Sequence, residues 1–227
     1  MERRTIAIGV VTAIIMAVLA TLIPGTYTAV SAENYNNLGV QEYEKGNYEK
    51  AIEYFTKAIE LKPDYAEGYY NRGLVYLKTG SIWIPGGVKN LQKALSDFNK
   101  AIELKPDYVD AYYQRGVTYC EFFHFYRKPF SPKVEDMFNS AIEDFNQALV
   151  LDPTYYIAIA GKGNAYDRHG DFGKAIEAYE EALKHEDKIR ERWGEEGLAA
   201  IYYSFGRVLH RIDRIDKAEE YYCLLYT

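Results

Sequence analysis

The sequence predicts an all-α protein built from repeated pairs of helices. Of its 227 residues, 48% are hydrophobic and 26% are charged, which is the ordinary balance of a folded domain. The 17 Gly and 7 Pro are too few for a chain of this length made of strands and tight turns. One short pattern, a small residue followed by an aromatic and a second small residue, recurs along the chain. A recurring unit of this kind favours a solenoid, in which each helix pair stacks on the next.

The charge and the cysteine content exclude two classes of protein. The net charge is −6 and the pI is about 5.4, which argues against nucleic-acid binding, because such proteins need a basic surface. The chain has only two cysteines, Cys120 and Cys223, so it cannot contain a disulfide framework. We expect both thiols to be unpaired.

Residues 1–32 form a segment separate from the repeats. Met-Glu-Arg-Arg precedes an uncharged apolar run from Ile6 to Ile23, and the small residues Ser31 and Ala32 precede Glu33. This order is typical of a cleaved signal peptide, and the run is also just long enough for an uncleaved transmembrane anchor. A buried helix is the third interpretation. Either of the first two brings the segment into contact with the membrane and predicts an extracytoplasmic location for residues 33–227.

The recurring pattern defines four segments, which begin at Ala51, Ala94, Ala141 and Ala175, and a fainter fifth that begins at Ala218. Four residues after each alanine comes an aromatic residue on the same helical face, and we call these the ring positions: Phe55, Phe98, Phe145, Tyr179 and Tyr222. Proline ends the first three segments, because it disfavours the helix before it. A glycine precedes each segment, and we call these the repeat glycines: Gly39, Gly73, Gly116, Gly163 and Gly206. We expect each to let its helix cross close to an alanine of the partner helix.

These residues resemble the tetratricopeptide repeat (TPR) family, whose unit has an aromatic, Leu-Gly, aromatic, Ala, aromatic, Ala and Pro in this order. The resemblance implies a right-handed solenoid of about five helix-turn-helix repeats, over residues 33–65, 66–108, 109–155, 156–189 and a partial 199–227. The chain departs from the pattern before the glycine, where leucine is kept only at Leu38 and is replaced by Arg72, Arg115 and Lys162. The pattern includes no further capping helix after the fifth repeat, so we expect either a frayed end or an end covered by a partner, and self-association through this repeat is possible under the alternative function given below.

The resemblance also implies a concave groove, formed by the first helix of each repeat, that binds a peptide or a helix of a protein partner. By position the groove contains Asn36, Val40, Cys120 and Ala160 beside nine residues expected to contact the partner: Tyr43, Tyr70, Asn71, Leu74, Leu77, Tyr113, Gln114, Val117 and Asn164. Tyrosine suits such a surface, because it offers a large contact area and a polar tip. The alternative is that some of these rings only cover the neighbouring repeat.

Two insertions lengthen the second and third repeats. Gly73 and Ala94 are 21 residues apart and Gly116 and Ala141 are 25 apart, whereas Gly39 and Ala51 are separated by 12. The inserted segments are unusually apolar, and their candidate contact residues are Trp83, Phe122, Phe125, Tyr126, Arg127, Lys128 and Phe130. They either pack together as a small satellite core or form a docking surface for a partner or a membrane.

The sequence contains no recognisable catalytic motif. The four histidines do not have metal-ligand spacing, and the chain has no glycine-rich phosphate loop. We therefore predict a protein that is not an enzyme, binds no metal or cofactor, and acts as a scaffold or assembly factor through protein–protein interaction. The alternatives are a structural, self-associating envelope component and an accessory subunit of a secretion or enzyme complex.

Overall fold

The computed structural model describes residues 31–80, 85–122 and 132–226, and every regular element in those ranges is helical. Its helices are α1 (Ala32–Glu44), α2 (Tyr48–Leu61), α3 (Ala66–Thr79), α4 (Gly87–Leu104), α5 (Val109–Phe122), α6 (Pro132–Leu151), α7 (Ile157–His169), α8 (Phe172–Leu183), α9 (Glu186–Arg211) and α10 (Ile215–Cys223). A 3₁₀ turn, Leu224–Tyr226, follows α10. The predicted N-terminal export or anchor helix lies outside the described residues.

The helices form five antiparallel pairs, which confirms the predicted all-α solenoid. The pairs are α1 with α2, α3 with α4, α5 with α6, α7 with α8, and the second part of α9 with α10. Among the described residues, first helices of successive pairs contact one another, whereas second helices of successive pairs do not. The first helices therefore lie on the inner, concave side of the array and the second helices lie on the outer side.

Each helix pair is held together by its repeat glycine and its aromatic ring. A Cβ atom built on Gly39 would lie 2.5 Å from the ring of Phe55, and one on Gly73 would lie 2.8 Å from the ring of Phe98. The same contact recurs in the other three pairs, at 2.9 Å for Gly116, 3.0 Å for Gly163 and 2.7 Å for Gly206. The expectation that the glycine faces an alanine is therefore wrong, because it faces the ring. The alanines that begin the five segments are instead fully buried.

The arginines that replace leucine before the repeat glycine are paired with buried aspartates. Arg72 donates two hydrogen bonds of 2.8 Å to Asp97 of its own second helix. A third bond, of 3.1 Å, runs from Arg72 Nη1 to Thr56 of the preceding repeat. Burial raises the pKa of Asp97 above its ordinary value although Arg72 opposes the rise. The charged form of Asp97 therefore depends on Arg72.

The same arrangement recurs one repeat further along the array. Arg115 donates to Asp144 at 2.9 and 2.6 Å, and its Nη1 donates to Asn99 of the preceding repeat at 2.7 Å. Repeat one has Leu38 and Tyr54 at the two equivalent positions, and repeat five has Phe205 and Tyr221, with ring centroids 4.5 Å apart. In repeats one, two, three and five the two positions are thus matched, ion pair or apolar pair, whereas repeat four has Lys162 and Ala178 there.

The two insertions, and the stretch between repeats four and five, lengthen helices of the array. The second helices of repeats two and three have 18 and 20 residues, against 14 in repeat one, so part of each insertion extends a helix. The stretch of residues 189–196 between repeats four and five lies within α9. That helix is interrupted at Gly194, where φ is 69° and ψ is −176°. Glycine adopts this conformation without the strain that a side chain would add.

We predict that Gly73→Ala destabilises the protein by about 1–3 kcal/mol, because its methyl group would overlap the Phe98 ring. The matched control is Gly173→Ala in α8, where the added Cβ meets nothing closer than 3.7 Å. Alanine is the better helix former, so the control should be neutral or stabilising by up to about 1 kcal/mol. Urea denaturation followed by circular dichroism measures both. Equal midpoints for the two variants would contradict the glycine–ring contact.

We predict that Asp97→Ala costs roughly 2–4 kcal/mol, because it leaves the Arg72 charge partly buried and unpaired. The double variant Arg72→Leu/Asp97→Tyr installs the pair found in repeat one and should lie within about 1 kcal/mol of the wild type. Chemical denaturation of the wild type, Asp97→Ala and the double variant compares their free energies of unfolding. A double variant no more stable than Asp97→Ala would show that the ion pair is not interchangeable with the apolar pair.

Candidate peptide-binding groove

The nine predicted groove residues all lie on the first helices and all are partly exposed. Tyr43 is on α1, Asn164 is on α7, and the remainder are on α3 and α5. First helices line the concave side, so this surface is continuous over four repeats. The structure thus provides the surface on which the sequence places partner contacts, and the role of each side chain there remains a prediction.

Two of the tyrosines are part of the wall of the groove. The ring of Tyr70 lies 4.8 Å from that of Tyr108 and 6.0 Å from that of Phe98, centroid to centroid. The ring of Tyr113 lies 5.7 Å from Phe145 and 5.5 Å from Tyr155 in the same way. Burial raises the pKa of Tyr113 to about 12, so its hydroxyl stays protonated. Both rings therefore cover their own repeat while presenting one side to the groove.

The groove amides are partly used within the protein. Asn71 Nδ2 donates to Asn36 Oδ1 at 2.8 Å, which joins repeats one and two. Asn164 Oδ1 accepts from Arg168 Nε at 2.6 Å. That arginine also donates to the Cys120 carbonyl at 3.0 Å. These bonds hold the amide side chains in place, and within the described ranges the Asn164 amide nitrogen donates no hydrogen bond.

A pocket of about 220 Å³ opens into the groove between α5, α7 and α9. Most of its lining is apolar, and its residues with polar side-chain groups include Tyr113, Glu121, Asn164, Tyr179 and Ser204. Arg168 donates to Glu121 at 2.8 Å, so the carboxylate is already paired. The pocket therefore combines apolar walls with neutral hydrogen-bonding groups, as sites for small ligand groups generally do.

Sequence reasoning found one side of this pocket and missed the other. It placed Tyr113, Val117 and Asn164 in the groove, together with Cys120 and Ala160, and all five line the pocket. From its mixed charges, the stretch of residues 189–196 around Trp193 is predicted by the sequence to be a solvated face. The structure instead places that stretch against the groove, which adds five residues of α9: Trp193, Gly197, Ala200, Ile201 and Ser204. A tryptophan beside small residues was the available signal for this wall.

Most of the predicted contact residues in the insertions lie outside the part of the chain that the structure describes. Trp83, Phe125, Tyr126, Arg127, Lys128 and Phe130 lie outside the described residues. Phe122 is described, and it ends α5 with its side chain 2% exposed. As a contact residue for a partner Phe122 is therefore incorrectly assigned, because its ring is packed inside the protein.

The described residues give no indication of metal or thiol chemistry. No group of three or more His, Cys, Asp or Glu residues is gathered for a metal ion within ranges 31–80, 85–122 and 132–226. Cys120 is buried and Cys223 is exposed, and both are free thiols, as expected. Burial raises the pKa of Cys120 to about 12, so this thiol is protonated at neutral pH and is a poor nucleophile.

Comparison with known families agrees with this architecture. Tetratricopeptide repeat models match residues 39–80, 89–121, 157–189 and 199–227, which together are more than half of the chain. The chain therefore belongs to the tetratricopeptide repeat family. Members of this family are generally non-catalytic modules for protein–protein interaction.

Solved structures show the same fold at low sequence identity. A thermophilic TPR protein of Thermus thermophilus is 20% identical with a TM-score of 0.69, and the match covers 86% of this chain and 90% of that one. YrrB, described as a TPR protein with an unusual peptide-binding site, is 18% identical with a TM-score of 0.52, over 87% and 86% of the two chains. A curated relative, an uncharacterised protein of Methanocaldococcus jannaschii, is 51% identical over 43 residues, which are 19% of this chain. The match spans half the length of that relative.

In the part of the chain that the structure describes, no helix has both the length and the apolar character needed to cross a bilayer.

Proposed function

We propose that this protein is a non-catalytic scaffold or assembly factor that binds a peptide or short helix of a protein partner in its concave groove. The observation that carries the proposal is the pocket between α5, α7 and α9, which opens from the same surface as the predicted contact residues. Its volume of about 220 Å³ is below the roughly 300–1,000 Å³ of small-molecule and cofactor sites. A site of that size suits one side chain of a larger partner.

The location outside the cytoplasmic membrane is part of the proposal. It is supported by Arg3 and Arg4 ahead of the apolar run from Ile6 to Ile23, since basic residues before such a run stay on the cytoplasmic side. Under this proposal the N-terminal segment contacts the membrane and the partner is a protein of the cell envelope. Protease protection in intact cells tests this location. If residues 33–227 remain protected until the cytoplasmic membrane is broken, the location is wrong.

We predict that Leu74→Glu in the groove abolishes capture of the partner when the full chain is cross-linked in the envelope fraction of its source organism. Leu74 is partly exposed on α3, outside the pocket, so the charge should disturb the contact surface and leave the fold intact. The matched control is Val150→Glu on the outer helix α6, whose side chain is 72% exposed. Circular dichroism verifies both variants. A partner that binds wild type, Leu74→Glu and Val150→Glu equally would overturn the groove proposal.

The alternative function, self-association through the fifth repeat, also has an observation in its favour. The last helix pair exposes large apolar side chains, with Tyr203 at 53%, Ile215 at 38% and Leu224 at 44%. Under this alternative the sedimentation coefficient of the full chain rises with concentration, and Ile215→Lys removes that dependence. A concentration-independent monomer would exclude it.

A further inference from the structure

Repeat five places a cation at a position where the other repeats have none. The residue directly after the repeat glycine is uncharged in repeats one to four and is an arginine in repeat five: Val40, Leu74, Val117, Asn164 and Arg207. Three of these equivalents, Leu74, Val117 and Asn164, are predicted contact residues of the groove. Arg211 follows Arg207 by one turn on the same helix, α9, so both arginines share one helical face.

The two arginines share one buried aspartate. Arg207 Nη2 donates to Asp167 Oδ2 at 2.8 Å, and Arg211 Nη1 donates to Asp167 Oδ1 at 2.6 Å. The Asp167 side chain is fully buried. Asp167 belongs to α7 and the arginines belong to α9, and these are the first helices of repeats four and five. The cluster therefore joins the two repeats on the concave side.

This cluster contains one more cation than its aspartate needs. In repeats two and three a single arginine pairs with each buried aspartate, as Arg72 does with Asp97 and Arg115 with Asp144. Asp167 pairs with two arginines. Within the described ranges no other carboxylate lies within 4 Å of either guanidinium. One positive charge of the cluster is thus left without a counter-charge.

The excess charge is accessible from solvent. The side chain of Arg211 is 51% exposed and that of Arg207 is 35% exposed. Arg211 donates only through Nη1 to the residues that the structure describes, so its other N–H groups are open to a ligand. Arg207 Nε is buried and contributes nothing to this surface. The Arg211 guanidinium also lies 5.9 Å from the centre of the Phe172 ring, which helps to hold it in place.

A carboxylate matches this arrangement. A guanidinium presents its N–H groups as a planar fork that pairs with both oxygens of a carboxylate. Because Asp167 already holds Arg211 in position, less side-chain freedom is lost when a ligand binds. The chain as a whole has a net charge of −6, so an acidic ligand is repelled by most of the protein and attracted to this cluster.

We propose that the repeat-five end of the groove binds an acidic side chain of the protein partner, an aspartate or a glutamate, on the exposed guanidinium of Arg211 beside Arg207. This proposal rests on the proposed function of the groove and states the chemistry that the groove selects at one end. It also orients the bound segment, because its acidic residue lies at repeat five and its preceding or following side chains lie toward the apolar pocket.

The test uses fluorescently labelled hexaglutamate and its uncharged counterpart hexaglutamine, each titrated with the full chain at physiological ionic strength. Fluorescence anisotropy gives the dissociation constants, and the wild type should bind hexaglutamate at least about fivefold more tightly than hexaglutamine. Arg211→Gln leaves Arg207 to pair with Asp167 and should weaken hexaglutamate binding by roughly five- to tenfold. Arg211→Lys keeps the charge without the planar fork and should bind with intermediate affinity.

The matched control is Arg214→Gln, which removes the same charge from the exposed residue that precedes α10. It should change hexaglutamate binding by less than about twofold, because exposed charges at a distance are screened by salt. Circular dichroism verifies that each variant is folded. A wild type that binds neither peptide, or both equally, would overturn the acidic-residue site. A loss in Arg211→Gln no larger than that in Arg214→Gln would do the same.

The groove proposal fails separately from this one. Leu74→Glu, three repeats away, should bind hexaglutamate within about twofold of the wild type while losing the partner. If partner capture is lost in Leu74→Glu and survives in Arg211→Gln, the groove stands and the acidic contact alone is wrong. If hexaglutamate binding depends on Arg211 but Leu74→Glu still captures the partner, the acidic-residue site stands and the groove proposal is wrong.

Discussion

The contact between each repeat glycine, which has no side chain, and the aromatic ring of its partner helix determines this architecture. In all five helix pairs the repeat glycine lies against the ring at the same position, and a single methyl group would not fit between them. The glycine lowers helix propensity by about 1 kcal/mol relative to alanine. In repeats one to four that cost is offset because the close crossing buries a whole ring and the alanines on either side of it. The spacing of glycine, alanine and ring along the sequence follows from this contact.

Around that fixed contact the repeats differ, and in repeats one, two, three and five the differences are paired. Where leucine is replaced by Arg72, the facing residue is Asp97, and where it is kept as Leu38, the facing residue is Tyr54. A lone charge at such a position would be costly, since a buried ion is tolerated only with its partner in place. The fourth repeat shows the opposite change. Its Ala160 and Gly161 remove volume on the groove side, and the described residues around them leave a cavity there.

The local rules of helix packing made most of the fold predictable from sequence. The ring positions, the buried alanines and the groove side of the first helices all follow from spacing on a 3.6-residue period. What the sequence could not provide was the path of the chain where the spacing is irregular. The interruption of α9 at Gly194 sends Trp193 to the groove, and nothing periodic marks that turn. Phe122 begins an apolar run and was named as a candidate contact residue, yet it is the last residue of α5 and is buried.

The absence of contact between neighbouring second helices, within the described ranges, has a mechanical consequence. When the angle between two repeats changes, their outer helices move apart or together, and the core of each helix pair stays closed. Bending between repeats is therefore the deformation that costs this array the least free energy. Arg72 and Arg115 act against it, because each reaches from its own first helix to the second helix of the preceding repeat. The junctions between repeats one and two and between repeats two and three are therefore each stiffened by an arginine bridge, so the spacing of the first three repeats resists change.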